Sequence, residues 1–139
     1  RDVGARLMGR GTYDVVSSFE TWPYGETPVL VATGRPFDPP RGSVEIGAGG
    51  IAGLVARAKE LAGDRDVYVD GGALVRAALG AGLVDELIVT VVPVLLGRGK
   101  PLFAEDSGRH ELELVSSRPI GGGLVQLVYA VEGGGRATG

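Results

Sequence analysis

The chain has 139 residues, 44% of them hydrophobic, with a formal net charge of -3, one histidine and no cysteine. That length suits one domain with a single core, and scattered rather than clustered cations leave no footprint for nucleic acid or an anionic membrane. Disulfides, thiolate metal sites and a cysteine nucleophile are excluded; no apolar run reaches the roughly eighteen residues of a membrane span, and the first ten residues do not read as a secretory leader, so a cytoplasmic setting is expected.

In chain order, Val3 to Met8 reads as the tail of a helix or the start of a strand, with further residues expected upstream of Arg1. Gly9-Arg10-Gly11-Thr12-Tyr13 is expected to turn, with Thr12 as N-cap of a helix from Tyr13 to Phe19 whose apolar positions Val15, Val16 and Phe19 share a face. Trp22-Pro23-Tyr24-Gly25 closes that helix. Pro28 to Thr33 is short and continuously apolar, the signature of a strand buried on both faces of a parallel sheet. A loop through Asp38-Pro39-Pro40-Arg41-Gly42 and a brief strand from Ser43 to Ile46 follow. Glycines 47, 49 and 50 then lead into a helix from Ile51 to Ala62, apolar at helical spacing and stopped by Gly63.

The stretch Val67 to Gly97 is the centre of the pattern: an apolar strand, the pair Gly71-Gly72, a helix starting near Ala73, and a second apolar strand within Glu86 to Leu96. Glycines at a strand end let a ligand approach the backbone, and the helix start offers unpaired N–H groups and the positive end of its dipole to a phosphate. Pro93 marks a bulge or the place where the second strand leaves its sheet. Glu111 to Ser116 and Leu124 to Val131 read as two late antiparallel strands turned by Gly121-Gly122-Gly123, which makes the sheet mixed. One domain over residues 1–132 and a flexible tail over 133–139 are expected.

Chemistry narrows by elimination. With His110 alone, expected as a loop or strand-start residue, there is no histidine-cluster zinc site, and no metal site is expected. No GxSxG is present. Gly97-Arg98-Gly99-Lys100-Pro101 is not a phosphate-binding Walker loop, because Val94 stands where the first glycine belongs and Pro101 where Ser or Thr must follow the lysine. Gly47-Ala48-Gly49-Gly50-Ile51-Ala52-Gly53 approaches a dinucleotide fingerprint with its third glycine one place late, and reads better as the start of a helix. Three other stretches pair a glycine with a phosphate-compatible donor or a helix start: Gly9-Arg10-Gly11-Thr12, Thr33-Gly34-Arg35 and Asp70-Gly71-Gly72-Ala73. In a parallel sheet, ends of one sense face one crevice.

Leu7-Met8-Gly9-Arg10-Gly11-Thr12-Tyr13, Val67-Tyr68-Val69-Asp70-Gly71-Gly72-Ala73 and Val92-Pro93-Val94-Leu95-Leu96-Gly97-Arg98-Gly99-Lys100-Pro101-Leu102-Phe103 together resemble the dihydrofolate reductase-like superfamily. The nearest branch is the C-terminal reductase domain of the bacterial bifunctional riboflavin-biosynthesis deaminase/reductase with its stand-alone relatives. The resemblance implies a three-layer α/β/α domain around a mixed, mostly parallel central sheet that binds NADPH and passes its hydride to a small heterocyclic or sugar-derived substrate. It implies that Gly9, Arg10 and Thr12 hold cofactor phosphates, that Thr33 and Arg35 lie beside the adenosine 2′-phosphate, and that Gly71, Gly72 and the N–H groups of Ala73, Leu74 and Val75 cradle the pyrophosphate. Asp70 is placed where the strand meets the nicotinamide pocket, as a candidate catalytic residue. By the same resemblance the chain is expected to lack the family's first strand, to form a homodimer, and to be a reductase resembling 5-amino-6-(5-phosphoribosylamino)uracil reductase, with its natural substrate left open. Alternatives are a dihydrofolate reductase proper and a non-catalytic dimeric member of the fold.

Overall fold

The computed structural model describes residues 2–39, 41–99, 101, 103 and 109–132. They form two compact units, the first ending at Ala81 and the second starting at Gly82. The expected tail over 133–139, and Lys100 and Leu102 of the third family motif, lie outside the described residues.

In the first unit, β1 (Val3–Gly9), β2 (Val29–Ala32), β3 (Val44–Gly47) and β4 (Asp66–Asp70) make a parallel sheet in the order β3-β2-β1-β4. Crossovers between parallel strands usually run through a helix, as here through α1 (Arg10–Ser17) between β1 and β2 and α2 (Ile51–Ala62) between β3 and β4, with α3 (Gly72–Gly80) after β4. β1 resolves the ambiguity at Val3 to Met8 in favour of a strand. Its pairing, Arg6 with Val29 and Tyr68, and Met8 with Val31 and Asp70, fixes which side chains share a face. On one face Met8, Val29, Val31 and Val44 join Tyr13 of α1 in a buried cluster, with Trp22, Tyr24 and Phe37 packed against it. Arg6, a cation within a central strand, is accommodated by stacking, its guanidinium carbon 4.4 Å from the Tyr24 ring centre and 4.7 Å from that of Tyr68.

On the opposite face lie Ala5, Leu7 and Leu30, fully buried, with Leu54, Val55, Ala58 and Ala62 of α2. A Cβ at Gly47 would meet Leu54 Cδ2 at 2.9 Å and Leu30 Cδ1 at 3.1 Å, so the end of β3 carries glycine because α2 lies directly on it. Arg57 of α2 donates to both carboxylate oxygens of Glu45, at 2.6 and 2.7 Å. That bond holds the Glu45 carboxyl below its ordinary range, against a smaller opposing effect of burial, and raises the Arg57 guanidinium in turn. α3 packs beside α2 and against β4 and β1. With α1 on one face and α2 and α3 on the other, this unit has the three layers expected.

In the second unit β5 (Glu86–Val91), β7 (Leu124–Val131) and β6 (Leu112–Gly121) form an antiparallel sheet in the order β5-β7-β6. β6 and β7 are the expected late hairpin, and Gly121, Gly122 and Gly123 all have positive φ, which explains three glycines in a row. β6 runs past Ser116 to Gly121 and carries Pro119 inside it, tolerable on the outer strand of this sheet beside a register shift. β5 stops at Val91, two residues before Pro93.

Two expectations need correction. The helix after β1 starts at Arg10 rather than Tyr13, with Gly9 as N-cap and no side-chain cap, so Thr12 lies inside the first turn and caps nothing. Its buried face is accordingly Tyr13 and Val16, while Val15 and Phe19 are exposed. The strand after α3 is also not the third piece of a unit in the β4 sheet: β5 takes its hydrogen bonds from β7. The apolar run predicted a strand but not its partner, and every residue of β5 is half-buried or exposed.

Candidate functional site

The chain moves from β1 outward through β2 to β3, then crosses through α2 to β4 on the other side of β1. Strand order therefore reverses between β1 and β4. In open α/β sheets the crevice beyond the carboxyl ends at such a point is where ligands bind. Here those ends are Gly9, which starts α1, and Asp70, which precedes the turn into α3.

The two ends meet through specific atoms. Gly71 has φ 102° and ψ 129°, a conformation restricted to glycine, and a Cβ there would stand 3.2 Å from Thr12 Oγ1. The hydroxyl that does not cap α1 thus faces the glycine turn. Gly9 has an ordinary extended backbone and, among the described residues, nothing within 4 Å of where its Cβ would be. Arg10 is held: its Nε donates to Asp14 Oδ1 at 2.8 Å, and its guanidinium carbon lies 4.2 Å from the Phe37 ring centre. Asp14 and Phe37 were not singled out in the sequence, although Asp14 sits at the helical spacing i+4 from Arg10.

At the end of β2, Thr33 N donates to Gly47 O at 3.0 Å, extending the ladder, and Thr33 Oγ1 accepts the Arg35 N–H at 3.1 Å. This small side-chain turn leaves Arg35 exposed, and its guanidinium has no ion-pair partner among the described residues.

α3 begins at Gly72, and the first bond inside it runs from Val75 N to Gly71 O at 3.0 Å. The N–H of Val75 is therefore engaged, and the cradle narrows to Gly72, Ala73 and Leu74, whose N–H groups precede that bond. Asp70 is half-buried, on the face of β4 that its partner Met8 occupies on β1. A residue that the sequence reading missed is Arg76, whose Nη1 lies 3.0 Å from where a Cβ of Gly72 would stand. Its spacing of four from Gly72 was the available signal.

All the expected site residues thus lie along one edge of one sheet. The Gly47–Gly53 loop ends on that edge too, but only as the lead into α2. Among the described residues, no group of three or more His, Asp or Glu could hold a metal ion, and no helix is long and apolar enough to cross a membrane.

Residues 24–126 match the family described as the RibD C-terminal domain. The chain belongs to that family. The RibD C-terminal domain is a reductase domain that normally binds a nicotinamide cofactor. Among relatives, the chain is 34% identical over 125 residues to the uncharacterized protein YwjB of Bacillus subtilis strain 168, covering 88% of this chain and 71% of YwjB. It is 42% identical over 66 residues to YyaP of the same organism, a match covering 47% of this chain and 35% of YyaP, so the likeness spans only about a third of that protein. Among solved structures, a Shewanella sp. PV-4 protein described as a candidate for riboflavin biosynthesis is similar with a TM-score of 0.80 and 32% identity, over 94% of this chain and 75% of the other. The fold is accordingly dihydrofolate reductase-like.

The residues present fit a nicotinamide dinucleotide. The turn at 71–74 offers backbone donors and carries no Cβ at 71 and 72, Thr12 presents a hydroxyl to it, and Arg35 stands exposed at the neighbouring strand end.

Proposed function

We propose that this RibD C-terminal domain is an NADPH-dependent reductase of a small heterocyclic or sugar-derived substrate, of the kind that 5-amino-6-(5-phosphoribosylamino)uracil reductase uses, working in the cytoplasm as a homodimer. The observation that carries the reading is the convergence of Thr12 on the Gly71 turn at the reversal point of the sheet. A phosphate-bearing dinucleotide laid across that edge would take its pyrophosphate at the N–H groups of 72–74 and its 2′-phosphate at Arg35. A bound reduced nicotinamide supplies the hydride. What the protein contributes is placement: the glycines at 9 and 71 admit the ligand to the backbone, and Phe37 and Asp14 fix the direction of Arg10. The Asp70 carboxylate, one residue before the glycine pair, accepts hydrogen bonds from N–H or hydroxyl groups of the substrate and so orients it.

The test is titration of the protein with NADPH, followed by Trp22 and nicotinamide fluorescence. Saturable binding at submillimolar NADPH, with weaker binding of NADH, is expected, and no saturation in that range would overturn the reading. Sedimentation as a monomer at micromolar concentration would remove the dimer.

A further inference from the structure

The Gly71-Gly72 turn has its two missing side chains replaced by polar groups from elsewhere in the chain. Thr12 Oγ1 is 3.2 Å from the Cβ position of Gly71, and Arg76 Nη1 is 3.0 Å from that of Gly72, with the guanidinium carbon at 3.8 Å. Both distances are closer than ordinary van der Waals contact, so a methyl group at either place would have to displace its neighbour. For Gly71 the backbone already requires glycine, since its φ is 102°. For Gly72 no such requirement exists, because it lies in α3 without a positive φ, and the neighbour is what explains it.

Helical geometry accounts for the contact. Side chains of an α-helix lean toward its N-terminus, and positions four apart lie on one face, so Arg76 folds back over the first turn of its own helix. That sets a planar cation with several donors beside the three N–H groups that precede the first intrahelical bond. A single phosphate is served by N–H groups alone. A pyrophosphate, with two charges and oxygens spread over two phosphorus atoms, matches the added fork of a guanidinium.

We propose that Arg76 is a binding residue for the pyrophosphate of the dinucleotide, and that Gly72 is glycine in order to seat it. This rests on the NADPH reading above and adds to it a contact shared by every nicotinamide dinucleotide, in contrast to Arg35, whose contact belongs to the 2′-phosphate alone. Arg35 governs choice between NADPH and NADH; Arg76 governs affinity for both.

The experiment titrates the whole chain and its Arg76→Ala, Arg76→Lys and Gly72→Ala variants with NADPH and with NADH at several salt concentrations, with thermal melts recorded alongside. Arg76→Ala is expected to weaken both dinucleotides by roughly tenfold or more, as for loss of a charge-assisted contact, to leave their ratio unchanged and to flatten the salt dependence. Arg76→Lys recovers part of the loss. Gly72→Ala weakens both, and adding it to Arg76→Ala costs little more, because the two changes act on one contact. Should the alanine variant fail to fold, Arg76→Gln, which keeps much of the stem and drops the charge, serves in its place. A folded variant without the charge that binds both dinucleotides within about twofold of wild type, or that loses NADPH alone, overturns the assignment to Arg76 while leaving the reductase reading standing. If the wild-type chain saturates with neither dinucleotide, both fall together.

Discussion

Replacing Gly71 by alanine tests the geometry of the candidate site without reference to any ligand. Gly71 combines φ 102° with ψ 129°, a region that non-glycine residues enter at a cost of about 1–3 kcal/mol. A Cβ there also meets Thr12 Oγ1 at 3.2 Å, a few tenths of an ångström too close, which a rotation of the threonine side chain would relieve. Backbone strain is therefore the larger part, and Gly71→Ala is expected to lose about 2 kcal/mol. With a urea dependence of about 2 kcal/mol per molar, the midpoint falls by about 1 M. The assay is urea unfolding of wild type, Gly71→Ala, Thr12→Ala and the double variant. Most of the loss should persist in the double variant, since removing the threonine side chain relieves the contact and not the dihedral. A midpoint shift under about 0.2 M, or full recovery in the double variant, would refute the argument.

Gly4→Ala should be worse, because its Cβ would stand 2.6 Å from Ala62 O and 2.7 Å from Arg65 Cβ; the backbone must move, and a thermal melt should register a loss at or above the roughly 1–3 kcal/mol of an overpacked core. Gly9→Ala meets nothing and has an ordinary φ, so its stability should fall by no more than about 1 kcal/mol, the difference between the two residues as N-cap, while dinucleotide titration should show weakened binding. Arg35→Ala is expected to weaken NADPH by roughly ten- to a hundredfold, for a charge-assisted contact of about 1.5–3 kcal/mol, and to leave NADH nearly unchanged; equal loss for both would mean that the 2′-phosphate lies elsewhere. Glu45, whose folded carboxyl is held low by Arg57, contributes stability that is present above the unfolded carboxylate pKa and disappears as the pH falls through the lowered folded one. Melts of wild type and Glu45→Gln should therefore converge in acid and separate toward neutral pH, with a gap that salt narrows because both side chains are partly exposed.

What the sequence disclosed follows from how local each signal was. Helix α2 was legible to the residue, Ile51 to Ala62, because glycines bracket a regular apolar stripe. β2 was legible within a residue at each end, its unbroken apolar run having only a doubly buried role to fill. The start of α1 was not, because Gly-Arg-Gly has poor helix propensity and only the neighbouring strands show that β1 hands straight over to a helix. β1 hid behind Arg6, whose stacking between Tyr24 and Tyr68 joins residues far apart in sequence. The sheet assignment of β5 was invisible for a similar reason, since its partner β7 lies beyond more than thirty residues of chain. For the site, the pairing of a glycine with a phosphate-compatible donor or a helix start indicated the three strand ends, whereas the approach of Thr12 to Gly71 depends on β1 and β4 being neighbours. Arg76 was within reach of a periodicity argument applied to the glycine pair itself.

Trp22 is the chain's single tryptophan, and it belongs wholly to the first unit, its ring edge-on to Tyr24 at 5.3 Å and to Tyr13 at 6.0 Å, with the Arg41 guanidinium 4.5 Å from its centre. Its emission is consequently a built-in label for the parallel sheet alone. Far-ultraviolet ellipticity, by contrast, sums over every strand, those of the antiparallel hairpin included. Whether the two signals disappear at the same denaturant concentration is a direct measure of cooperativity between the units, obtainable without adding a probe to either.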